Sequence, residues 1–212
     1  MSLSTFKTSF EVCRIDKSLP NGRFVAMAGR AKVLTSQEIS DIFKILKSAR
    51  DRALFALGIY TGMRIGEIIR LRKEQLYTAN GGVRNVLKVV RLKKKNTVYS
   101  EIPIHPKLRE KLLAYMKEAT LDDWLFPSND ANSGHLCRDR AHDILRDPFD
   151  RLRLEDASTH SMRRTCLTNM SRAGVPLRTI QEISGHSHLG QLQDYLAVDP
   201  ADKHRAINLL KY

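Results

Sequence analysis

Cysteine is scarce in this sequence: Cys13, Cys137 and Cys166 are the three among 212 residues. Their spacing matches neither a metal site nor a redox motif, so we expect free thiols in a reducing compartment. No apolar run approaches the roughly 18–20 residues of a membrane-spanning helix. The chain also does not open with the charged and then apolar segments of a secretion signal. These absences argue against a disulfide-rich secreted protein and against a membrane protein, and they predict a cytoplasmic one.

Acidic residues are also in short supply, since 23 Asp and Glu face 36 Lys and Arg and leave a formal net charge of +13. A chain this basic most often binds a polyanion, and nucleic acid is the first candidate; the alternative is a merely basic surface. A length of 212 residues with 42% hydrophobic residues is sufficient for one well-buried domain and a small appendage.

The hydrophobic pattern predicts a mostly α-helical fold with a small antiparallel β-sheet, an α+β domain. Residues 1–33 are polar, basic and weakly patterned, and we interpret them as an N-terminal extension or the remnant of a linker. Thr35 and Glu38 have the spacing of a capping box before an amphipathic helix. Beyond it, the pattern predicts a buried helix over 53–60, a helix over 64–71, a β-hairpin of strands 83–90 and 98–104, and helices over 106–117, 135–153 (with Pro148 a candidate break), 160–172 (capped by Thr159), 177–184, 191–196 and from 200 onward.

Two arginines stand beside apolar residues, where arginine is seldom found unless it is paired. On a helical wheel Arg64 shares a face with Ile68 and Leu71, and Arg163 lies beside Cys166 and Leu167. Each could be part of an internal ion pair whose aliphatic stem packs along the core. Two guanidiniums can instead clamp one phosphodiester, because each forks onto two oxygens.

Histidines and a tyrosine accompany the second arginine. His160 and Arg163 project from one helix face, His186 follows a glycine, and Tyr195 lies nine residues further on. Each alone could be an ordinary packed or surface residue. Together they supply the groups needed to hold a phosphate, attack it and move protons around it.

These motifs together resemble the tyrosine recombinase (phage integrase) family. The pattern His-x-x-Arg, 21 residues, Gly-His, eight residues, Tyr is similar to the family's C-terminal motif and spans His160–Tyr195. The segment Thr61-Gly62-Met63-Arg64-Ile65-Gly66-Glu67 resembles its first arginine motif, and the hairpin ending Ile102-Pro103-Ile104 resembles the one that brings a lysine into the site. The resemblance covers about residues 35–197.

The resemblance implies a role for each matching residue. Tyr195 would be the nucleophile, and Arg64 and Arg163 would bind the non-bridging oxygens of the scissile phosphate. His160 would be an acid or base close to the tyrosine, and His186 a second donor to the phosphate.

The lysine is less clearly marked, because the hairpin offers Lys93, Lys94 and Lys95. An ungapped alignment on Pro103 selects Lys95, which would protonate the leaving 5′ oxygen. Another departure is Ser184, which replaces the leucine of the usual Leu-Gly-His. The family also usually carries an N-terminal core-binding domain that clamps DNA. Only about 33 residues stand in its place, so we expect a fragment or a reduced member.

The resemblance therefore implies a site-specific recombinase or integrase of a mobile genetic element, prokaryotic or phage-derived and nucleoid-associated, that needs neither metal nor cofactor. Its partners would be double-stranded DNA, three further copies in a tetramer, and an accessory DNA-bending or directionality protein. Residues 34–212 would be the catalytic domain, with a helix over 200–212 that docks onto a neighbour or packs on its own domain. Two alternatives remain: relaxation of DNA by a type IB topoisomerase-like enzyme, and a non-catalytic regulator whose residues 173–185 form part of a helix-turn-helix.

Overall fold

The computed structural model describes residues 31–92, 97–118, 123–128, 134–193, 195–196, 200–208 and 210. In this part of the chain helices dominate and the only sheet is a two-stranded antiparallel hairpin, so the predicted α+β fold is confirmed. None of the helices described in these ranges is long and apolar enough to cross a membrane. The elements are α1 (Ser36–Ile45), α2 (Ala49–Thr61), α3 (Ile65–Ile68), α4 (Lys73–Leu76), β1 (Val86–Leu92), β2 (Thr97–Pro103), α5 (Pro106–Glu118), α6 (Arg138–Arg151), α7 (Thr159–Arg172), α8 (Leu177–Ser184), α9 (Leu189–Gln193) and α10 (Pro200–Asn208).

Helix α1 begins at the predicted capping box. The backbone N–H of Thr35 donates to Glu38 Oε2 at 2.8 Å, and the N–H of Glu38 donates to Thr35 Oγ1 at 3.2 Å. Two N–H groups that have no partner within the helix are thereby satisfied. The apolar face of α1 reaches the core through the fully buried Ile42.

Helix α2 is the central element of the core. Nine of its 13 residues are buried, as its nearly continuous apolar sequence predicts, and it packs against α5 and α7. It ends at Gly62, which adopts the left-handed conformation with φ 65°. Because that conformation suits glycine and reverses the chain sharply, the following residues turn back over the end of α2.

The predicted helix over 64–71 is wrong in its extent. The structure has a single turn, α3, followed by an irregular stretch and a second short helix, α4, which the pattern did not predict. The reason is long-range pairing: Arg72 forms a β-bridge with Trp124, and the N–H of Leu125 donates to the carbonyl of Leu71 at 2.8 Å. These bonds to a distant segment replace helical ones.

The β-hairpin is confirmed, with strands displaced from the predicted bounds. Strand β1 starts at Val86, because Val83 forms a bridge with Tyr77. The strands pair antiparallel from Val86 opposite Pro103 to Leu92 opposite Thr97. The connection, which contains Lys93, Lys94 and Lys95, lies outside the described residues.

Pro148 does not interrupt helix α6, which contains it. A proline removes one helical hydrogen bond, but Leu145, Pro148 and Phe149 are all buried, and their packing offsets that loss. At the start of α7 the cap is Ser158 instead of the predicted Thr159: Ser158 Oγ accepts the N–H of His160 at 3.3 Å. Cys137 and Cys166 are free thiols as predicted, and Cys13 lies outside the described residues.

Candidate active site

Arg163 lies at the centre of the candidate site. It is 1% exposed. Its Nη1 donates to the carbonyl of Gly62 at 2.6 Å, and its Nη2 donates to the carbonyl of Ser184 at 2.9 Å. Both carbonyls end helices, where the helix dipole favours a cation. One guanidinium therefore joins the C-terminal ends of α2 and α8 to α7.

Two features of the structure favour glycine at position 62. Its φ is positive, and a Cβ there would lie 3.3 Å from both Cys166 Sγ and Leu167 Cδ2. Burial also raises the pKa of the Cys166 thiol to about 12. The neutral thiol of Cys166 and the side chain of Leu167 therefore pack α7 closely against the end of α2. This packing keeps the Gly62 carbonyl within hydrogen-bonding distance of Arg163.

Arg64 follows the turn at Gly62 and is oriented by Glu67. The backbone N–H of Arg64 donates to Glu67 Oε2 at 2.9 Å, and its Nη1 lies 3.3 Å from Glu67 Oε1. The side chain of Arg64 is 42% exposed. An exposed pair of this kind adds little stability, so its effect is to fix the direction of a guanidinium that solvent and ligands can reach.

His186 is 4% exposed and contacts Arg163, with 3.0 Å between His186 Nε2 and Arg163 Nη2. On the other side of the ring, Ser184 Oγ lies 2.8 Å from Nδ1 and also donates to the carbonyl of Gln181 at 3.2 Å. A hydroxyl has one proton, so this arrangement places the imidazole proton on Nδ1. Ser184, which departs from the family's leucine, therefore orients His186, a role that the sequence analysis missed.

Tyr195 reaches the same place from the end of α9. The centroid of its ring is 4.9 Å from that of His186. The guanidinium carbon of Arg163, Cζ, lies 5.4 Å from the same centroid, which is a cation–π contact. Its backbone N–H donates to the carbonyl of Leu192. The structure thus brings Arg163, His186 and Tyr195 together within one chain.

His160 lines a cleft of about 540 Å³ together with Arg64 and Arg163. Partial burial lowers the pKa of His160 below its ordinary value of 6.5, and the positive charges of Arg163, Arg64 and Arg138 lower it further. A neutral imidazole can accept a proton at pH 7.

The titration of His160 in the free protein should show this depression. We expect an NMR titration midpoint below 6.5, rising in both Arg64→Ala and Arg138→Ala because each variant removes a nearby positive charge. Arg146→Ala is the control, since Arg146 pairs with Asp150 on α6 and does not line the cleft. A midpoint at or above 6.5 would contradict the expected environment.

Of the predicted site residues, five lie around Arg163 and its cleft, and Lys95 lies outside the described residues. Arg138 and Ser184 were not predicted from the sequence. Arg138 comes from α6, and only tertiary packing brings it into the cleft. The one signal for Arg138 in the sequence is Gly66 within the first arginine motif, because a glycine leaves room for a neighbouring side chain.

Residues 32–202 match the sequence profile of the phage integrase family. That segment covers most of the chain and contains every residue of the geometry described above. The chain belongs to the phage integrase family. The resemblance carried by the spacing from His160 to Tyr195 is thereby confirmed.

Two relatives show how this integrase-family chain compares with longer proteins. Tyrosine recombinase XerC of Rhodospirillum centenum is 32% identical over 155 residues, which are 71% of this chain and 43% of the relative. Tyrosine recombinase XerD of Rhizobium meliloti is 30% identical over 156 residues, 73% of this chain and 49% of the relative. The chain thus spans about half the length of these relatives.

Solved structures share the integrase-family fold. The crystal structure of XerA recombinase aligns with a TM-score of 0.69 at 20% identity, over 86% of this chain and 67% of the other. The Tn1549 transposon integrase in complex with circular intermediate DNA aligns with a TM-score of 0.65 at 19% identity, over 84% and 66% of the two chains. At these identities the likeness establishes the fold.

Proposed function

We propose that this chain is the catalytic part of a site-specific DNA recombinase or integrase that works through a 3′-phosphotyrosyl intermediate. The observation that carries the proposal is the contact of Tyr195 with His186 and Arg163, at 4.9 Å and 5.4 Å. A phenol beside a guanidinium held by two helix ends suits attack on a phosphate. Membership of the phage integrase family supports the same chemistry.

In the cleavage step, Tyr195 Oη attacks the scissile phosphorus, the Oη–P bond forms, and the bond from phosphorus to the 5′ oxygen breaks. Negative charge on the non-bridging oxygens is stabilised by Arg64 and Arg163. Because Arg163 is 1% exposed, a phosphate reaches it only after a covering group moves. His186 and Tyr195 contact it directly, so DNA binding must rearrange this part of the site.

Two proton transfers accompany the step. The phenol loses a proton, and neutral His160 is the candidate acceptor; the leaving 5′ oxygen gains one, and Lys95 is the candidate donor. A 5′-hydroxyl of another strand then attacks the phosphotyrosyl bond and releases Tyr195. Each step exchanges one phosphate ester for another, so the reaction requires no ATP. Arg64 and Arg163 take the charge-stabilising role that metal ions have in other phosphoryl-transfer reactions.

The proposal is tested with a nicked suicide substrate, from which the short 5′-hydroxyl strand dissociates and traps the covalent adduct. We expect an adduct that forms equally well in EDTA, and joined products when a partner duplex is supplied. Supercoil relaxation without joined product would favour a topoisomerase instead. DNA binding without any adduct would favour the non-catalytic regulator, for which α7, the turn after it and α8 offer two consecutive helices.

Lys95→Ala tests the general acid. We expect cleavage of ordinary DNA to slow by about two or more orders of magnitude, with near-complete rescue on a substrate whose bridging 5′ oxygen is replaced by sulfur, because a thiolate leaves without a proton. Lys93→Ala and Lys94→Ala are the matched controls: binding should weaken modestly, without sulfur rescue. Rescue in either control would move the role to that lysine, and rescue in none would make His160 the next residue to test.

We further propose that residues 34–212 form the catalytic domain, that residues 1–33 are an extension or linker, and that the active assembly is a tetramer on double-stranded DNA with an accessory DNA-bending or directionality protein. A cytoplasmic, nucleoid-associated enzyme of prokaryotic or phage origin fits this activity. We expect α10 and the residues after it to dock onto a neighbouring copy in this assembly, because Ile207 in α10 and Leu210 beyond its end are 67% and 53% exposed.

Deleting residues 200–212 should therefore weaken multimer formation on DNA more than it lowers the melting temperature. The double substitution of Ile207 and Leu210 by serine should act in the same way, because it removes only the exposed apolar surface. Leu113→Ser, at a 39% exposed leucine of α5, is the control. Analytical ultracentrifugation with DNA gives the assembly state; a large loss of monomer stability with unchanged assembly would show that α10 packs on its own domain.

A further inference from the structure

Arg138, in the first turn of α6, lies directly against the first arginine motif. A Cβ on Gly66 would be 2.9 Å from Arg138 Nη2 and 3.7 Å from its Cζ and Nε. The guanidinium thus occupies the space that the Cβ of any other residue at position 66 would need. A side chain at position 66 would therefore displace the Arg138 guanidinium from this place, although the backbone conformation of residue 66 does not require glycine.

The conformation of Gly66 sharpens this point. Gly66 is helical in α3 and is not among the described glycines with positive φ. The helical backbone of Gly66 would therefore accept alanine, and the close approach of Arg138 is the contact that alanine would displace.

The cleft that Arg138 enters is strongly positive. Its charged lining residues comprise four arginines and two carboxylates: Arg64, Arg70, Arg138, Arg163, Glu67 and Asp139. One of the carboxylates, Glu67, is hydrogen-bonded to Arg64. Among the residues that the structure describes, the side chain of Arg138 has no hydrogen-bond or ion-pair partner, and its positive charge lowers the pKa of His160. A guanidinium held among like charges without an acidic partner is placed to bind an anion.

We propose that Arg138 is a third phosphate-binding guanidinium of this cleft, that it contacts a DNA phosphate flanking the scissile one, and that Gly66 keeps the space in which it lies. The inference rests on the proposed function, in which Arg64 and Arg163 bind the non-bridging oxygens of the scissile phosphate itself. Arg138 then sets the register of the strand, so that Tyr195 faces the correct phosphorus.

A double-mutant cycle tests the link between the two residues. Arg138→Ala should weaken DNA binding by about tenfold and make the slope of log affinity against log salt shallower by about 0.9, the value for one lost phosphate contact. Gly66→Ala should weaken binding in the same direction while its melting temperature stays equal or rises. In the Arg138→Ala background, Gly66→Ala should have no further effect, because its only consequence is to displace the guanidinium.

Arg146→Ala is the matched control, since it removes an equal charge from α6 at an arginine that pairs with Asp150 and does not line the cleft. The inference is overturned if Arg138→Ala binds DNA like Arg146→Ala, or if Gly66→Ala still weakens binding without Arg138. Methylphosphonates that neutralise the two flanking phosphates one at a time locate the contact. On one of the two modified substrates, the protein with Arg138 and its Arg138→Ala variant should bind DNA with equal affinity. If Arg138 still increases the affinity for both substrates, the contact with a flanking phosphate is excluded.

All of these binding measurements are made in the Tyr195→Phe background, which retains no candidate nucleophile at position 195. Their outcome therefore does not depend on whether the chain cleaves DNA. Failure of the proposed function appears as the absence of a covalent adduct with the unmodified protein. Failure of the inference appears in the double-mutant cycle, where the Arg138→Ala and Gly66→Ala substitutions either weaken DNA binding additively or leave it unchanged.

Discussion

Tyr195→Phe is expected to abolish covalent protein–DNA adducts on a nicked suicide substrate while DNA binding and the melting temperature stay close to those of the unmodified protein. The substitution removes only the attacking oxygen. It keeps the ring that lies 4.9 Å from His186 and 5.4 Å from Arg163 Cζ, so the surrounding packing is preserved. Denaturing electrophoresis of labelled DNA measures the adduct, and peptide mapping locates it.

The other tyrosines provide internal controls. The hydroxyls of Tyr77 and Tyr115 are buried and donate to the carbonyls of Leu112 and Leu125, and burial raises the pKa of Tyr115 to about 12. Neither can readily act as a nucleophile. Tyr60, stacked on His105 at 4.6 Å, is partly exposed, and Tyr60→Phe should leave adduct formation intact. An adduct that persists in Tyr195→Phe, or that maps to Tyr99 or Tyr212, would assign the nucleophile elsewhere.

Arg163→Lys is expected to slow cleavage by at least about tenfold although it keeps the charge, because an ammonium cannot fork onto two phosphate oxygens. The structure adds a second cost. Arginine bonds the carbonyls of Gly62 and Ser184 at 2.6 Å and 2.9 Å through two different nitrogens, and lysine has a single nitrogen to replace both. Leaving a buried carbonyl without its donor costs about 1–3 kcal/mol, so the melting temperature should fall as well.

These two effects are separated by measuring cleavage well below the melting temperature of the variant, with circular dichroism to show that it is folded. Arg164→Lys is the matched control, because Arg164 is the next residue of α7 and its Nη1 donates to the carbonyl of Ala31, away from the cleft. It should lose some stability and keep its cleavage rate. Near-normal cleavage by folded Arg163→Lys would make this arginine purely structural.

Much of the candidate site could be predicted from the sequence because its motifs are local. His160 and Arg163 are one helical turn apart, Gly185 immediately precedes His186, and Arg64 is followed three residues later by the glutamate that orients it. Such neighbours are brought together by the geometry of a single turn or helix. The capping box at Thr35 and the buried helix α2 were predictable for the same reason.

Two errors fall where distant segments meet, and a third falls at a local turn. The helix predicted over 64–71 is broken because residues 71 and 72 pair with residues 124 and 125. Arg138 was missed because its neighbour Gly66 belongs to a different part of the chain. No local pattern encodes these two contacts, since each depends on how distant segments pack against one another. The role of Ser184 was missed because its bond to His186, only two residues away, depends on the left-handed turn at Gly185.

By itself, the sequence determined the basic charge that suits a polyanion, the mostly helical fold, and the identity and order of five candidate site residues. Only the tertiary structure decided what Arg163 does: its bonds to Gly62 and Ser184 span 101 and 21 positions of the chain. The same is true of the placement of Tyr195 over that guanidinium and of Arg138 over Gly66. The physical reason is that spacing along a helix sets which side chains share a face, whereas close packing of α2, α6, α7 and α8 sets which faces meet.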